Sequence, residues 1–177
     1  MGQIKLPEKV LLISAFCYNN EADVNSALNE MTGLYGPVKA KSEPFAFEHT
    51  PYYRDEMGDT LFKFYCTFER LIDPMDIVDI KLQTNIIEEK LSVNGKRNVN
   101  IDPGYIEVPK LVLATTKNYG HRIYLGKGIY GDVQLYWSRG TFQANPWTYP
   151  DYTEPDNFNF FVNARKEYFK FIQQGVN

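Results

Sequence analysis

Lys9 to Cys17 (KVLLISAFC) is almost unbroken in apolar residues, the pattern of a central strand covered on both faces. Helical spacing takes over from Glu21 to Tyr35. There Val24, Ala27, Leu28, Met31 and Leu34 recur three and four residues apart, and Gly36-Pro37 stops the run. Val38 to Ser42 alternates small or apolar residues with Lys39 and Lys41, as an edge strand does. Pro44 to Gly58 is rich in aromatics without a period and reads as a loop. Strict alternation returns from Leu61 to Leu71: Phe62, Phe64, Cys66 and Phe68 face one way, Lys63, Tyr65, Thr67 and Glu69 the other. Asp73-Pro74 opens a second helix, with Asp as cap, Pro at the first helical position and Asp76 near the positive end. Its apolar positions run from Ile77 to Leu91, it ends near Asn94-Gly95, and a strand over Arg97 to Ile101 follows. Strand, helix, strand, strand, helix, strand is the ferredoxin-like βαββαβ plan, which assigns residues 1–102 to that half.

Asp102-Pro103-Gly104 then signals a turn. Val108 to Lys117 fits two templates. Pro109 suits a helix start, and Leu111, Val112, Leu113 and Thr115 suit a strand; the balance favours a short helix. Gly120 to Trp137 reads as a hairpin around Gly126-Lys127-Gly128. The register expected sets Leu125 opposite Ile129, Tyr124 opposite Tyr130 and Arg122 opposite Asp132. Ile123, Leu125, Ile129, Val133, Leu135 and Trp137 then share an apolar face. Arg139 to Gln143 adds a short strand, Pro146 to Tyr152 (PWTYPDY) an aromatic loop, and Thr153 to Asp156 a helix-opening box. The last helix carries Phe158, Phe161, Val162, Arg165, Tyr168, Phe169 and Ile172 on one stripe. The expected fold class is α+β in a single domain over residues 1–177. An antiparallel sheet begins in ferredoxin-like order, is extended by the hairpin of residues 103–177, and is closed by the C-terminal helix.

Composition sharpens this. Aromatics make up 15% of the chain, with 13 Tyr and 12 Phe, which favours a sheet-rich protein. The net charge of −3 provides no global basic field, so nucleic acid is not an expected partner. Cys17 and Cys66 without a secretion signal read as free thiols in a reducing cytosol. No apolar run reaches membrane length, so a soluble, cytoplasmic protein is expected. The charge is nevertheless uneven. From Lys90 to Arg139 the cations are Lys90, Lys96, Arg97, Lys110, Lys117, Arg122, Lys127 and Arg139, and the acids only Asp102, Glu107 and Asp132. That contrast suits a pocket for an anion or, equally, a solvated sheet face.

The candidate chemistry falls in the same stretch. Gly126-Lys127-Gly128-Ile129-Tyr130-Gly131 matches G-x-G-x-x-G, whose backbone amides can cradle phosphate. Here a strand follows instead of the helix the dinucleotide motif needs, and the kinase signatures are absent. A tight hairpin is the main reading, with a phosphate contact from Lys127 beside it. Arg97, Asn100, Asp102 and Tyr105 gather donors and an acid at the end of a strand. Arg97 can grip an oxyanion with two parallel hydrogen bonds, and Asp102 can bind a magnesium ion or take a proton; the same Asp and Asn can also simply shape a turn. His49 and His121 are the only histidines. They do not form the paired H-x-T/S motifs of the 2H phosphoesterases, and with two scattered cysteines they do not compose a metal site. His121 serves either as an acid–base group or as a packing histidine, and Arg122 either as a ligand or as a cross-strand partner of Asp132. The expected site therefore has Asp102 and His121 as catalytic groups. Arg97, Asn100, Lys117, Arg122 and Lys127 are its ligand contacts, Tyr105 and Tyr130 its walls, and it holds no metal. Its ligand is a small anion bearing phosphate or carboxylate, such as a nucleotide; whether a reaction or cofactor is involved stays open. A second class of function is an interaction or self-association module using Tyr52, Tyr53 and Trp147, which leaves a homo-oligomer open.

EPFAFEHTPYY with EMG, FERLIDP, IKLQTN, NVNIDPGY, KLVLATTKNYGHRIYLGKGIY and PWTYPDY, in that order, resemble the domain-of-unknown-function 4416 family over nearly the whole chain. Its members are bacterial or archaeal proteins of this size, some labelled GTP-binding. The resemblance implies no activity, and the sequence lacks the G-x-x-x-x-G-K-[ST] loop that such a label calls for.

Overall fold

The computed structural model describes residues 2–48 and 54–175. In chain order the elements are β1 (Val10–Tyr18), α1 (Glu21–Tyr35), β2 (Val38–Lys41), β3 (Phe45–Ala46), α2 (Arg54–Met57), β4 (Phe62–Ile72), α3 (Ile77–Lys90), β5 (Val99–Ile106), β6 (Lys110–Thr115), β7 (Ile123–Gly126), β8 (Ile129–Ser138), β9 (Thr141–Ala144) and α4 (Pro155–Gln173). They form one α+β domain on a nine-stranded antiparallel sheet, larger than a simple ferredoxin sheet. Its order is β2-β4-β1-β5-β6-β8-β7, with β3 added to β4 and β9 to β8.

Every residue of β1 is buried, which is why its sequence is apolar without alternation. Leu12 and Phe16 point into one core, shared with Val24, Ala27 and Met31 of α1 and Ile77, Ile80 and Ile87 of α3. Leu11, Ile13 and Ala15 point into the other, beneath Phe161, Val162, Ala164 and Tyr168 of α4. Helices thus cover both faces. The start of α1 is fixed by Asn20, whose side-chain oxygen accepts from the amides of Ala22 and Asp23. Asp73 and Asp76 cap a 3-10 turn that leads into α3.

Four sequence expectations are corrected. The aromatic segment after Pro44 contains β3 and α2. Asp102-Pro103-Gly104 is not a turn but the middle of β5, which pairs with β1 from Val99 to Ile106. Val108 to Lys117 holds a strand, β6, in place of a short helix. Leu111, Val112, Leu113 and Ala114 are buried in succession, which a strand covered on both faces permits and a surface helix does not. The terminal helix takes Glu154 as its cap residue, without a side-chain cap, while the Thr153 hydroxyl donates to the Pro150 carbonyl.

The β7–β8 hairpin turns on Lys127 and Gly128, both at positive φ (51° and 80°), the twist a two-residue hairpin loop needs. Tyr124 faces Tyr130 as expected. A bulge past Tyr124 sets Gly126, not Leu125, opposite Ile129. The apolar face expected there does not form: β7 is an edge strand with Ile123 and Leu125 exposed. A second bulge shifts the β6–β8 register, with Leu111 opposite Leu135 and Val112 opposite Val133, so that Gln134 is left without a partner.

Gly104 is the first residue of β5 to pair with β6, opposite Leu113. A methyl group there would overlap the Val112 carbonyl oxygen and lie 2.9 Å from Leu113 Cδ2. Gly104→Ala is expected to destabilise the fold by about 2 kcal/mol through overpacking. A lower midpoint with an unchanged slope in urea unfolding is the check.

Candidate functional site

The site begins where the sheet divides. β5 pairs with β1 along its whole length, but with β6 only from Gly104 to Ile106. β6 continues past that junction on β8, as far as Thr115 opposite Tyr130. Pro103 is the reason for the parting, because it has no N–H to donate across the next rung. The two halves enclose a cleft of about 710 Å³, within the range of small-molecule sites. α3 closes it from behind with Lys81, Asn85 and Glu88.

Ile101 shows how the free edge is satisfied. Its carbonyl accepts from Lys81 Nζ at 2.7 Å, and its N–H donates to Glu88 Oε1 at 2.8 Å. The helix side chains take the place of the missing strand. They also bring charge into a buried position, Lys81 being 5% and Glu88 4% exposed. Lys81 reaches Asp102 Oδ1 at 3.3 Å and lies 3.9 Å from Glu88 Oε1. Arg97 Nη1 donates to Glu88 Oε2 and to Asn100 Oδ1, both at 2.8 Å. Its Nε and Nη2 grip the two oxygens of Glu56 at 2.6 and 2.7 Å. Asn100 Nδ2 donates to Asp102 Oδ2 at 2.8 Å, which closes a ring of alternating charges. Hydrogen bonds from Arg97 lower the Glu56 pKa. Burial raises that of Glu88 despite Lys81 and Arg97. Burial works against ionising Asp102 too, but the charges of Lys81 and Lys63, with hydrogen bonds from Asn100 and Lys81, hold its pKa below the usual carboxylate value.

The opposite wall carries Arg122, whose Nε donates to Asp132 Oδ2 at 2.7 Å, Nη1 to the Lys117 carbonyl and Nη2 to the Tyr149 hydroxyl. The His121 ring stacks on Trp147 at 4.8 Å and on Tyr119 at 6.2 Å. Its Nε2 is 3.4 Å from Asp132 Oδ2 without a hydrogen bond, and Asp132 Oδ1 is likewise buried and unpaired. Lys63 Nζ donates to Asp151 Oδ2 at 2.7 Å, an oxygen that also accepts from the Tyr65 hydroxyl. The bulge in β8 fixes the aromatic loop above. The Val133 carbonyl accepts from Asn145 Nδ2 and Trp147 Nε1, and the Gln134 carbonyl from the Thr148 hydroxyl.

Of the residues expected from sequence, Arg97, Asn100, Asp102, Lys117, His121 and Arg122 line this one cleft. Three do not. Tyr105 packs on the core under α1 and α3, since it has the opposite strand parity to Asn100 and Asp102. Lys127 is at a hairpin tip, paired with Asp79 at 2.6 Å. Tyr130 packs on Tyr124. Trp147 lines the cleft; His49, Tyr52 and Tyr53 lie outside the described residues. The expected electropositive character is corrected as well. Acids from the first half of the chain fold onto the basic segment, Glu30 on Lys90, Glu56 and Glu88 on Arg97, and Asp79 on Lys127. Five cations and four carboxylates line the cleft. Sequence reasoning missed Lys63, Lys81, Glu88 and Asp151. For Lys81 and Glu88 a signal existed: they share the buried stripe of α3 with Ile77, Ile80, Thr84 and Ile87.

Removing Arg97 leaves Glu88 buried with less compensation. Arg97→Met should cost about 3 kcal/mol at neutral pH. The Glu56 pKa is lowered in the fold, so its contribution is present at neutral pH and lost as pH falls through the folded value. Protonation also relieves an unpaired Glu88. Both effects have one sign, and the stability gap between wild type and variant should narrow between about pH 5 and pH 3 in chemical denaturation.

Both cysteines are free and buried. Among the described residues no helix is long and apolar enough to cross a membrane, and no cluster of His, Cys, Asp and Glu has the makings of a metal site. No curated protein and no solved structure matches the chain. The family model described as Domain of unknown function (DUF4416) matches residues 8–168. With nearly its whole length matched, the chain belongs to the DUF4416 family.

Proposed function

We propose that the cleft binds a small polar molecule carrying a phosphate or carboxylate group. The observation that carries this reading is the donor capacity left on its cations. A guanidinium has five N–H groups, and among the described residues Arg122 uses three, on Asp132, Lys117 and Tyr149. Lys81 uses two of its three protons, on Ile101 and Asp102. Such groups are costly to bury, and in a cleft of ligand size they point to a function beyond folding. Asp102, an ionised acceptor a third exposed at its side chain, and His121, oriented by two ring stacks, are the groups able to move a proton here.

Two finer readings belong to this proposal. The segment β1-α1-β2-β4-α3-β5 is ferredoxin-like, supported by the neighbour order β2-β4-β1-β5 with antiparallel pairing throughout. Cytoplasmic residence is supported by two thiols kept buried and unpaired.

Thermal-shift measurement against nucleoside monophosphates, sugar phosphates and dicarboxylates tests the proposal. A ligand at a hundred times its Kd adds about 2.7 kcal/mol, roughly a 5–10 °C rise in Tm for a chain of this length. Arg122→Gln should abolish the rise and Lys127→Ala, outside the cleft, should retain it. A screen in which no anion moves the wild-type Tm refutes the proposal.

A further inference from the structure

The lining of the cleft says more about the ligand than that it carries a negative group. Its charges come in contact pairs, Lys63–Asp151, Lys81–Asp102, Arg97–Glu88 and Arg122–Asp132. Each pair sets a donor beside an acceptor. A polyphosphate chain offers acceptors alone at neutral pH and would meet four carboxylates with nothing to donate. A hydroxyl group donates one hydrogen bond and accepts others, so it can bridge a cation and its carboxylate together.

Asp132 supplies an independent observation. It is 1% exposed and lines the cleft, yet Oδ1 has no donor, while Oδ2 is taken by Arg122. Beside it His121 Nε2 is also buried and unpaired. An acceptor without a donor and a ring nitrogen without a partner at one spot match a group that donates to the first and bonds the second. A fully ionised phosphate oxygen does not donate; a hydroxyl does. Asp102 adds a second acceptor on the facing wall, since a third of its side chain is exposed. Tyr119, Trp147 and Tyr149 at the rim add aromatic surface for the C–H face of a saturated ring.

We infer that the cleft takes a hydroxyl-rich ring bearing a single phosphate or carboxylate, a sugar or cyclitol monophosphate in chemical class, with hydroxyls on Asp132 and Asp102. This rests on the reading of the cleft as a site for an anionic ligand. The bare anion is a minor part of the recognition, and the hydroxyls carry the selectivity.

Calorimetric titration of the full chain separates the two statements. The probes are glucose 6-phosphate, ribose 5-phosphate and inositol 1-phosphate, against methyl phosphate and tripolyphosphate. At least one hydroxyl-rich probe should bind about tenfold or more tightly than either control. Asp102→Asn, checked for folding by circular dichroism, should shrink that ratio, because the ring hydroxyl loses a charged acceptor while methyl phosphate loses only a carboxylate that repels it. Saturation-transfer NMR on the wild type provides a second readout that needs no variant, with ring protons near the aromatic rim saturated most. Tripolyphosphate or methyl phosphate binding as tightly as the three rings overturns the hydroxyl inference and leaves the anion site standing. Silence from all five probes at millimolar concentration overturns both.

Discussion

The backbone of Ile101 is the point on which the site depends. A strand that loses its neighbour must still place its peptide groups, and in the interior a group left unpaired is costly. Pro103 ends the rung between β5 and β6, and two residues earlier along the same edge Ile101 faces a gap. Lys81 and Glu88 fill it from α3. Because the substitutes are ionised, they draw in more ionised groups. Glu88 fixes Arg97, Arg97 fixes Glu56 and Asn100, and Asn100 with Lys81 fixes Asp102. A backbone requirement in one strand thus becomes a charged wall.

The second wall has a similar origin. The bulge in β8 leaves Gln134 outside the ladder, and the carbonyls of Val133 and Gln134 take Asn145, Trp147 and Thr148 from the loop above. That loop carries Tyr149 to Arg122 and stacks Trp147 on His121. Two interruptions of regular pairing, a proline in one strand and an extra residue in another, therefore hold the side chains that border the cleft. The pairing of β1 with β5, continuous from Leu11 to Tyr18, and with β4 across one register shift between Leu11 and Ile13, supplies the frame between the two cores.

Much of the frame was legible because it rests on local pattern. β1, α1, β4 and α3 follow from apolar pattern alone, although β4 is buried on both faces, with Lys63, Tyr65 and Thr67 as covered as Phe64, Cys66 and Phe68. The misreadings have one cause, a local signal overruled by a distant neighbour. Pro103 and Gly104 carry a turn signal, yet β1 pairs with them and holds them extended. Val112 fits helix or strand until β5 and β8 flank it. In the site, Asn100 and Asp102 were legible as polar groups gathered at a strand end, and their shared parity, carried on through Pro103, would have excluded Tyr105. The cation excess along residues 90–139 does not carry over to the cleft, because a tally along the chain does not see acids that arrive by folding. Glu56 and Glu88 neutralise Arg97 from before the segment, and Asp79 reaches Lys127 from 48 residues away.

That compensation changes what kind of recognition the cleft can perform. An uncompensated cluster of cations attracts any anion, at a range set by salt, and discriminates poorly among them. Here the charges are matched at contact distance, and the remaining donors and acceptors have directions fixed by the bonds already made. Arg97 cannot turn toward a ligand without releasing Glu56 and Glu88, and Arg122 cannot turn without releasing Asp132 and Tyr149. The groups are preorganised, and a set of this kind discriminates by the placement of donors and acceptors more than by net charge. A sheet that opens at one proline and is refilled by a helix thereby gives the protein a cleft whose polar groups are fixed in direction by the same hydrogen bonds that keep the opened edge folded.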